Sequence, residues 1–276
     1  MFGAAGQALL RRATVGVVGV GGGGSIVVEQ LAHLGVGRIV AVDFDTVEPH
    51  NLSRIVGARG ADAGRSRKKV EVMRRLVRSV DPGIAVEAIA GDIADASVAA
   101  RLARCDFLFL CTDTIASRLV ANAIVHSHHV PMVQVGAKVD MRGDGTMETV
   151  YVAVRPVFPK RGCLACASLL DPVALQREAA TDEERRAQNY LEVDEVIEPS
   201  VITLNGVGAS AATTAFLMML TGLGDERLLR HRLFDACTGQ WLELRPQPRP
   251  DCRWCGEAPR SQAGLGDAAA LPVRPG

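Results

Sequence analysis

The stretch from Thr14 to Asp45, TVGVVGVGGGGSIVVEQLAHLGVGRIVAVDFD, limits the architecture more than any other part of the chain. β-Branched residues run from Val15 to Val20, a helical apolar pattern follows from about Gly24 to Leu34 and ends at Gly35, and a second β-branched run covers Arg38 to Val42. Apolar runs of this length around a helix make a strand, helix, strand unit whose strands lie parallel. Gly19, Gly21 and Gly24 fit G-x-G-x-x-G across the first turn, and Asp43 ends the second strand where a ribose-holding carboxylate is expected. Taken alone, this segment predicts a dinucleotide such as NAD.

The alternation continues. GRSRKKVEVMRRLVRSVDP reads as a basic amphipathic helix stopped by Asp81-Pro82. GIAVEAIAG, CDFLFLCTD and PMVQVGA read as strands, with the helices ADASVAARLAR and IASRLVANAIVHSHH between them. The class is therefore α/β, a Rossmann-like, mostly parallel sheet with helices on both faces. Past about Met147 the pattern changes. METVYVAVRP predicts an added antiparallel strand, and the highly charged run 171–199 predicts a helix and a mobile crossover loop over the sheet's carboxyl edge, its first part reading equally well as a solvated surface helix.

The 276 residues are enough for one large core. Lys+Arg and Asp+Glu balance at 31 each and aromatics are 4%, so neither a broad basic surface for nucleic acid or membrane nor a base-stacking platform is expected. The N-terminal MFGAAGQALLRRATVG lacks the apolar core and cleavage site of a secretory signal, which points to the cytoplasm. SVITLNGVGASAATTAFLMMLTGLG, residues 200–224, is uncharged and long enough to span a bilayer. Its Thr, Ser and Asn residues dilute the hydrophobicity and its Gly and Ala suit close packing, so it is read as a core or interface helix.

Four of the seven cysteines form two C-x-x-C pairs, Cys163 with Cys166 and Cys252 with Cys255, separated by 85 residues. Two such knuckles supply four thiolates for a tetrahedral zinc, whereas a redox pair needs only one knuckle at a helix start. Fully thiolate-ligated zinc has no open position, so its role is to staple the C-terminal part to the middle of the chain. The organisation expected is one domain over 1–256, with a nucleotide-binding half (1–146) and a substrate and zinc half (147–256). Residues 257–276, small and rich in Pro and Gly, are expected to be disordered.

The segment after the second strand, VDFDTVEPHNLSR, changes the ligand. It adds Asp45, Asn51 and Arg54, and the basic GRSRKK opens the next helix. Backbone amides of a glycine turn, a guanidinium and lysines together bring more positive charge than a pyrophosphate bridge needs, and suit a triphosphate. Asp113 ends a buried strand at the sheet's carboxyl edge, where a carboxylate can hold magnesium against phosphates.

GVGGGGS, VDFDTVEPHNLSR, the lysine-bearing helix start and CTD, followed by CLAC, PSVITLNGVGAS and CRWC, resemble the ThiF/MoeB/HesA superfamily, relatives of the ubiquitin-activating enzymes. The likeness covers about residues 2–256, and its D-x-D-x-V-x-x-x-N-L-x-R string with paired knuckles is far more specific than the glycines. It implies an enzyme that adenylates the C-terminal carboxylate of a ubiquitin-like or sulfur-carrier protein or peptide with ATP and magnesium, releases pyrophosphate, carries zinc and works as a homodimer. A modified tRNA base stays open as a substrate. The resemblance implies that Gly22 and Gly24 lie under the nucleotide, Asp43 bonds the ribose, Asn51 and Arg54 face the phosphates and Asp113 binds magnesium. A lysine should reach the β/γ-phosphates. GRSRKKVE is longer than the family's usual spacing, so Lys69 is the first choice and Lys68 the second.

Two departures stand out. The crossover segment NYLEVDEVIEPSVITLNG holds no cysteine for a transfer step, so the chain is expected to stop at the acyl-adenylate. The sequence begins at the FGAAGQ helix, so the family's arginine upstream of it is expected either from a preceding segment or fused domain or from elsewhere; Arg11 and Arg12 lie close to the first strand and are poor substitutes. A non-catalytic partner subunit and an NAD-dependent oxidoreductase are the competing readings. Cys105 and Cys111 read as packing thiols, Cys237 as a candidate reactive thiol, His126 to His129 as a solvated helix end, and Lys138 as a channel or surface lysine.

Overall fold

The valine-rich runs flanking the glycines become β1 (Thr14–Val18) and β2 (Arg38–Val42) in the computed structural model, which describes residues 3–142, 147–179 and 200–274. α1 (Gly3–Arg12) precedes them and α2 (Gly22–Leu34) connects them. β3 (Ala85–Ile89) pairs parallel with β2, β4 (Phe107–Leu110) with β1, and the start of β5 (Met132–Met141) with β4. β6 (Met147–Val157), β7 (His231–Asp235) and β8 (Gln240–Leu244) then add antiparallel, giving one eight-stranded sheet in the order β3-β2-β1-β4-β5-β6-β7-β8. The remaining helices are α3 (Gly60–Ala63), α4 (Lys69–Val80), α5 (Ala96–Leu102), α6 (Ile115–His128), α7 (Pro172–Ala179) and α8 (Ile202–Leu220).

Period-two alternation divides the core. On β4, Phe107 and Phe109 pack with Phe216 of α8 at ring-centroid distances of 4.9 and 5.8 Å, within the layer that also holds α2 and α4. Leu108 and Leu110 point to the opposite layer, against α5 and α6. The uncharged stretch forms α8, the one described helix long and apolar enough to cross a membrane. Here Ala209, Ala212 and Phe216 are core residues, and a Cβ on Gly208 would stand 2.7 Å from Val152 and 2.9 Å from Val135. Small residues let this helix lie close on the sheet.

Two expectations change. Residues 257–274, expected to be disordered, follow a defined course: Leu271 and Val273 pack on the layer of α5 and α6, and the Arg274 amide donates to the Ala94 carbonyl at 2.7 Å. The Arg274 guanidinium donates to Asp92 and Asp95 at 2.7 and 2.9 Å. Apolar residues two apart supply a one-sided strip that the composition of the tail hides. His126, expected at a solvated helix end, is 1% exposed, while the helix turns out of its axis only at His129, with φ 59°. The later part of the crossover, 180–199, lies outside the described residues.

α2 approaches the glycine turn so closely that a Cβ on Gly24 would fall 1.8 Å from the Gly19 carbonyl oxygen, whereas Gly23 faces open space. Gly24→Ala should therefore abolish soluble folded protein, and Gly23→Ala should melt within about 3 °C of the parent, as a thermal scan will show. Asp62 is the other fixed point: Arg75 first, then the Arg59 amide and Arg67, hold its buried carboxyl down at about 2. A folded value below the ordinary 3.8 means that this stabilisation is complete above about pH 4 and is lost as pH falls toward 2. Asp62→Asn should cost about 3 kcal/mol near pH 7, with the gap in melting temperature closing below pH 4.

Candidate functional site

The direction in which strands are added reverses between β1 and β4, and the carboxyl ends of these strands open a crevice where ligands of such sheets bind. Gly19 sits there with φ 79°, and a side chain on it would meet the Thr112 methyl at 2.6 Å and the Cys111 carbonyl at 2.9 Å. α2 then starts at Gly22 with no side-chain cap and no acidic residue in its first turn, so its leading amides are available to an anion. Gly21 has nothing within 4 Å of where a Cβ would be.

Asp43 closes the turn from the β2 side. Its carboxylate accepts from the Val20 amide at 2.8 Å and the Asp45 amide at 2.9 Å. Burial pushes this carboxyl above its ordinary value, opposed by the nearby Lys69 charge and these two amides. Lys69 opens α4, is 11% exposed, and ion-pairs with Asp45 at 2.7 Å. Lys68 points elsewhere and donates to the Phe44 carbonyl at 2.6 Å. Of the two lysines, Lys69 is the one whose charge acts on Asp43.

Arg54 reaches over the turn, its Cδ 3.4 Å from the Cβ position of Gly22, while its guanidinium donates to the His50 carbonyl at 3.2 Å. Asn51 is buried and accepts from the Glu48 amide at 3.1 Å, shaping the 3-10 turn Pro49–Ser53 that carries Arg54. Asp113 stands exposed on the loop from β4 to α6, one residue after Thr112. The glycine turn, Asp43, Arg54 and Lys69 thus share one crevice, with Asp113 on the adjacent strand's exit.

Sequence reasoning missed three contributors. Asn205, at the start of α8, lies over Gly22 with its Nδ2 2.3 Å from where a Cβ would be, and donates to Ser200 at 3.0 Å. Asn205 stands among the Thr and Ser residues that dilute this helix, and nothing local sets it apart; the structure shows it 8% exposed. Ser25, fully buried, donates to the Gly22 carbonyl at 3.0 Å and accepts from the Val56 amide at 3.1 Å, tying the Arg54 loop to α2. Glu178 of α7 accepts from the Ile115 and Ala116 amides at 2.7 and 2.9 Å, capping α6 from the crossover. No local pattern announces that long-range contact.

The two knuckles meet. Sγ of Cys163 and Cys252 are 3.6 Å apart, those of Cys166 and Cys255 3.4 Å, and all four lie within 4.8 Å of one another. Zinc–sulfur bonds of about 2.3 Å in a tetrahedron need sulfurs about 3.8 Å apart, so the set fits zinc and is too open for disulfides. The Cys166 and Arg249 amides donate to Cys163 and Cys166 sulfurs, each at 3.4 Å. Hydrogen bonding from the Cys255 thiol, and then the His126 ring, pushes the Cys163 thiol below its ordinary value, while the same sharing raises Cys255 and burial raises Cys252. Burial pushes Cys105 and Cys111 up to about 12, as suits packing thiols, and Cys237 is exposed in the turn between β7 and β8.

Comparison with known proteins agrees with this geometry. The ThiF family matches residues 1–254. The molybdopterin-synthase adenylyltransferase of Escherichia coli K12 is 32% identical over 253 residues, covering 91% of this chain and 90% of that protein. The SAMP-activating enzyme E1 of Haloferax volcanii is 30% identical over 255 residues, covering 91% and 83%. A crystal structure of E. coli MccB with ATP shares the fold, with TM-score 0.71 and 22% identity over 92% of this chain and 71% of that one. With the family matched from end to end of the sheet and the knuckles in place, this chain belongs to the ThiF family.

Proposed function

We propose that this protein is an ATP- and magnesium-dependent adenylyltransferase that activates the C-terminal carboxylate of a ubiquitin-like or sulfur-carrier protein or peptide, in the cytoplasm and as a homodimer. The observation that carries this reading is the convergence of Arg54, Lys69 and the uncapped start of α2 on one glycine turn whose far side is closed by Asp43. A nicotinamide enzyme has no use for that much positive charge. The activities that name these relatives, adenylyltransferase and E1, point the same way.

The chemistry asks little beyond positioning. A carboxylate is already ionised at neutral pH, so its oxygen attacks the α-phosphorus without a general base. The new bond is the acyl phosphate; the bond broken joins the α-phosphorus to the bridging oxygen, and pyrophosphate leaves with the electron pair. Asp43 orients the ribose, Arg54 and Lys69 neutralise the phosphates, and Asp113 would hold magnesium, which when bound would supply further charge neutralisation. No crossover cysteine lies between Cys166 and Cys237, so the acyl-adenylate is the product handed on.

ATP/pyrophosphate exchange with carrier proteins ending in Gly-Gly tests the activity. Exchange should depend on the carrier and fall at least about 100-fold in Asp113→Ala; NAD binding without ATP binding would show the reading to be wrong. Metal analysis should find about one zinc per chain, lost in Cys252→Ser. Chelation should lower the melting temperature more than it weakens ATP binding, because the zinc staples the chain and does not touch the nucleotide.

A further inference from the structure

The loop that precedes Lys69 is held by a single acidic residue, Asp62. The Asp62 side chain is 3% exposed. Arg75 of α4 donates to both its oxygens at 2.7 Å, and the Arg59 amide donates to one of them at 2.9 Å. Arg67 brings its Nε to 2.9 Å of the same carboxylate, off the line a hydrogen bond needs, so the contact is an ion pair. The Arg67 amide also donates to the Asp62 carbonyl at 3.0 Å. Between them the chain turns back through Ser66, at φ 44°.

The residue after this fold-back meets the nucleotide crevice. The Arg67 carbonyl accepts from the Val47 amide at 2.8 Å, Lys68 forms an antiparallel bridge with Thr46, and the Lys69 amide donates to the Asp45 carbonyl at 3.1 Å. These bonds zip residues 67–69 onto 45–47, the segment that leaves Asp43. The register of that zip decides whether Lys68 or Lys69 has its ammonium on the crevice side, because successive side chains of an extended segment point oppositely. A slip by one residue would exchange the two lysines.

We infer that Asp62 and Arg67 are positioning residues for Lys69: their ion pair folds the 63–67 loop back so that Lys69, and not Lys68, is delivered to the phosphates. The inference rests on the proposed nucleotide chemistry. Arg67 contacts Asp62 and the backbone of the zip and has no described contact with the glycine turn, so its influence passes through Lys69.

The test is titration calorimetry of the full chain with Mg·ATP and, separately, with AMP, which lacks the β- and γ-phosphates. Arg67→Ala leaves Asp62 paired with Arg75, so the fold is retained; a thermal scan checks this, and Arg67→Lys, which keeps a cation at the position, serves as the second variant. Arg67→Ala should weaken Mg·ATP roughly fivefold or more and AMP less than about twofold, with Arg67→Lys recovering most of the loss. In a Lys69→Ala background Arg67→Ala should add nothing, since the interaction it supports is gone. Unchanged Mg·ATP affinity in Arg67→Ala, an equal loss for AMP, or additive losses in the double variant would overturn the inference. A wild-type chain that binds no Mg·ATP would overturn the proposed function, and this inference with it.

Discussion

The contact between Gly24 and the carbonyl of Gly19 governs both fold and site. Only a residue without a side chain lets α2 descend onto the end of β1, and only that descent aims the uncapped amides of α2 at the crevice. Asp43 then locks the turn by accepting from Val20 on one side and Asp45 on the other. The anion-receptive helix start, the Asp43 carboxylate and the lysine pair of the next loop are therefore set relative to one another by bonds to the backbone.

The zinc knuckles work at a distance from this. Cys163, Cys252, Trp254 and Cys255 bury together against Ala123 of α6, so the metal site seats on the same helix whose first turn follows Asp113. The tail beyond the second knuckle continues along α6 and α5, with His128 facing Asp267 at 3.6 Å and Arg274 facing Asp92 and Asp95. The segment from Cys252 to Arg274 thus braces the layer opposite α2. Its contribution is to hold α6, and through it the loop after β4.

Legibility of the sequence followed the range of the interactions. The parallel strands and the glycine turn were readable because their signals are local: β-branched runs, a left-handed glycine and a helix stop each act within a few residues. The knuckles were readable because two C-x-x-C pairs imply each other across any separation. Asn205 and Glu178 were not, since each acts on a segment more than 60 residues away and looks locally like an ordinary polar residue. His126 was misread for a related reason: a histidine cluster at a helix end looks solvated until the knuckle of Cys163 is folded over it. The tail was misread from composition, which averages away the Leu271 and Val273 spacing that docks it.

β5 belongs to both kinds of sheet. Its Gln134 pairs with Leu110 of parallel β4 on one side and Arg155 of antiparallel β6 on the other, and its amide oxygen accepts from Arg155 at 2.9 Å. The parallel and antiparallel parts of the sheet are for that reason not hinged bodies with a linker between them. Mechanically they are one plate: the hydrogen-bond ladder runs unbroken from the antiparallel edge through β5 to β4 and β1, and strain entering at one edge is felt at the crevice without any joint to absorb it.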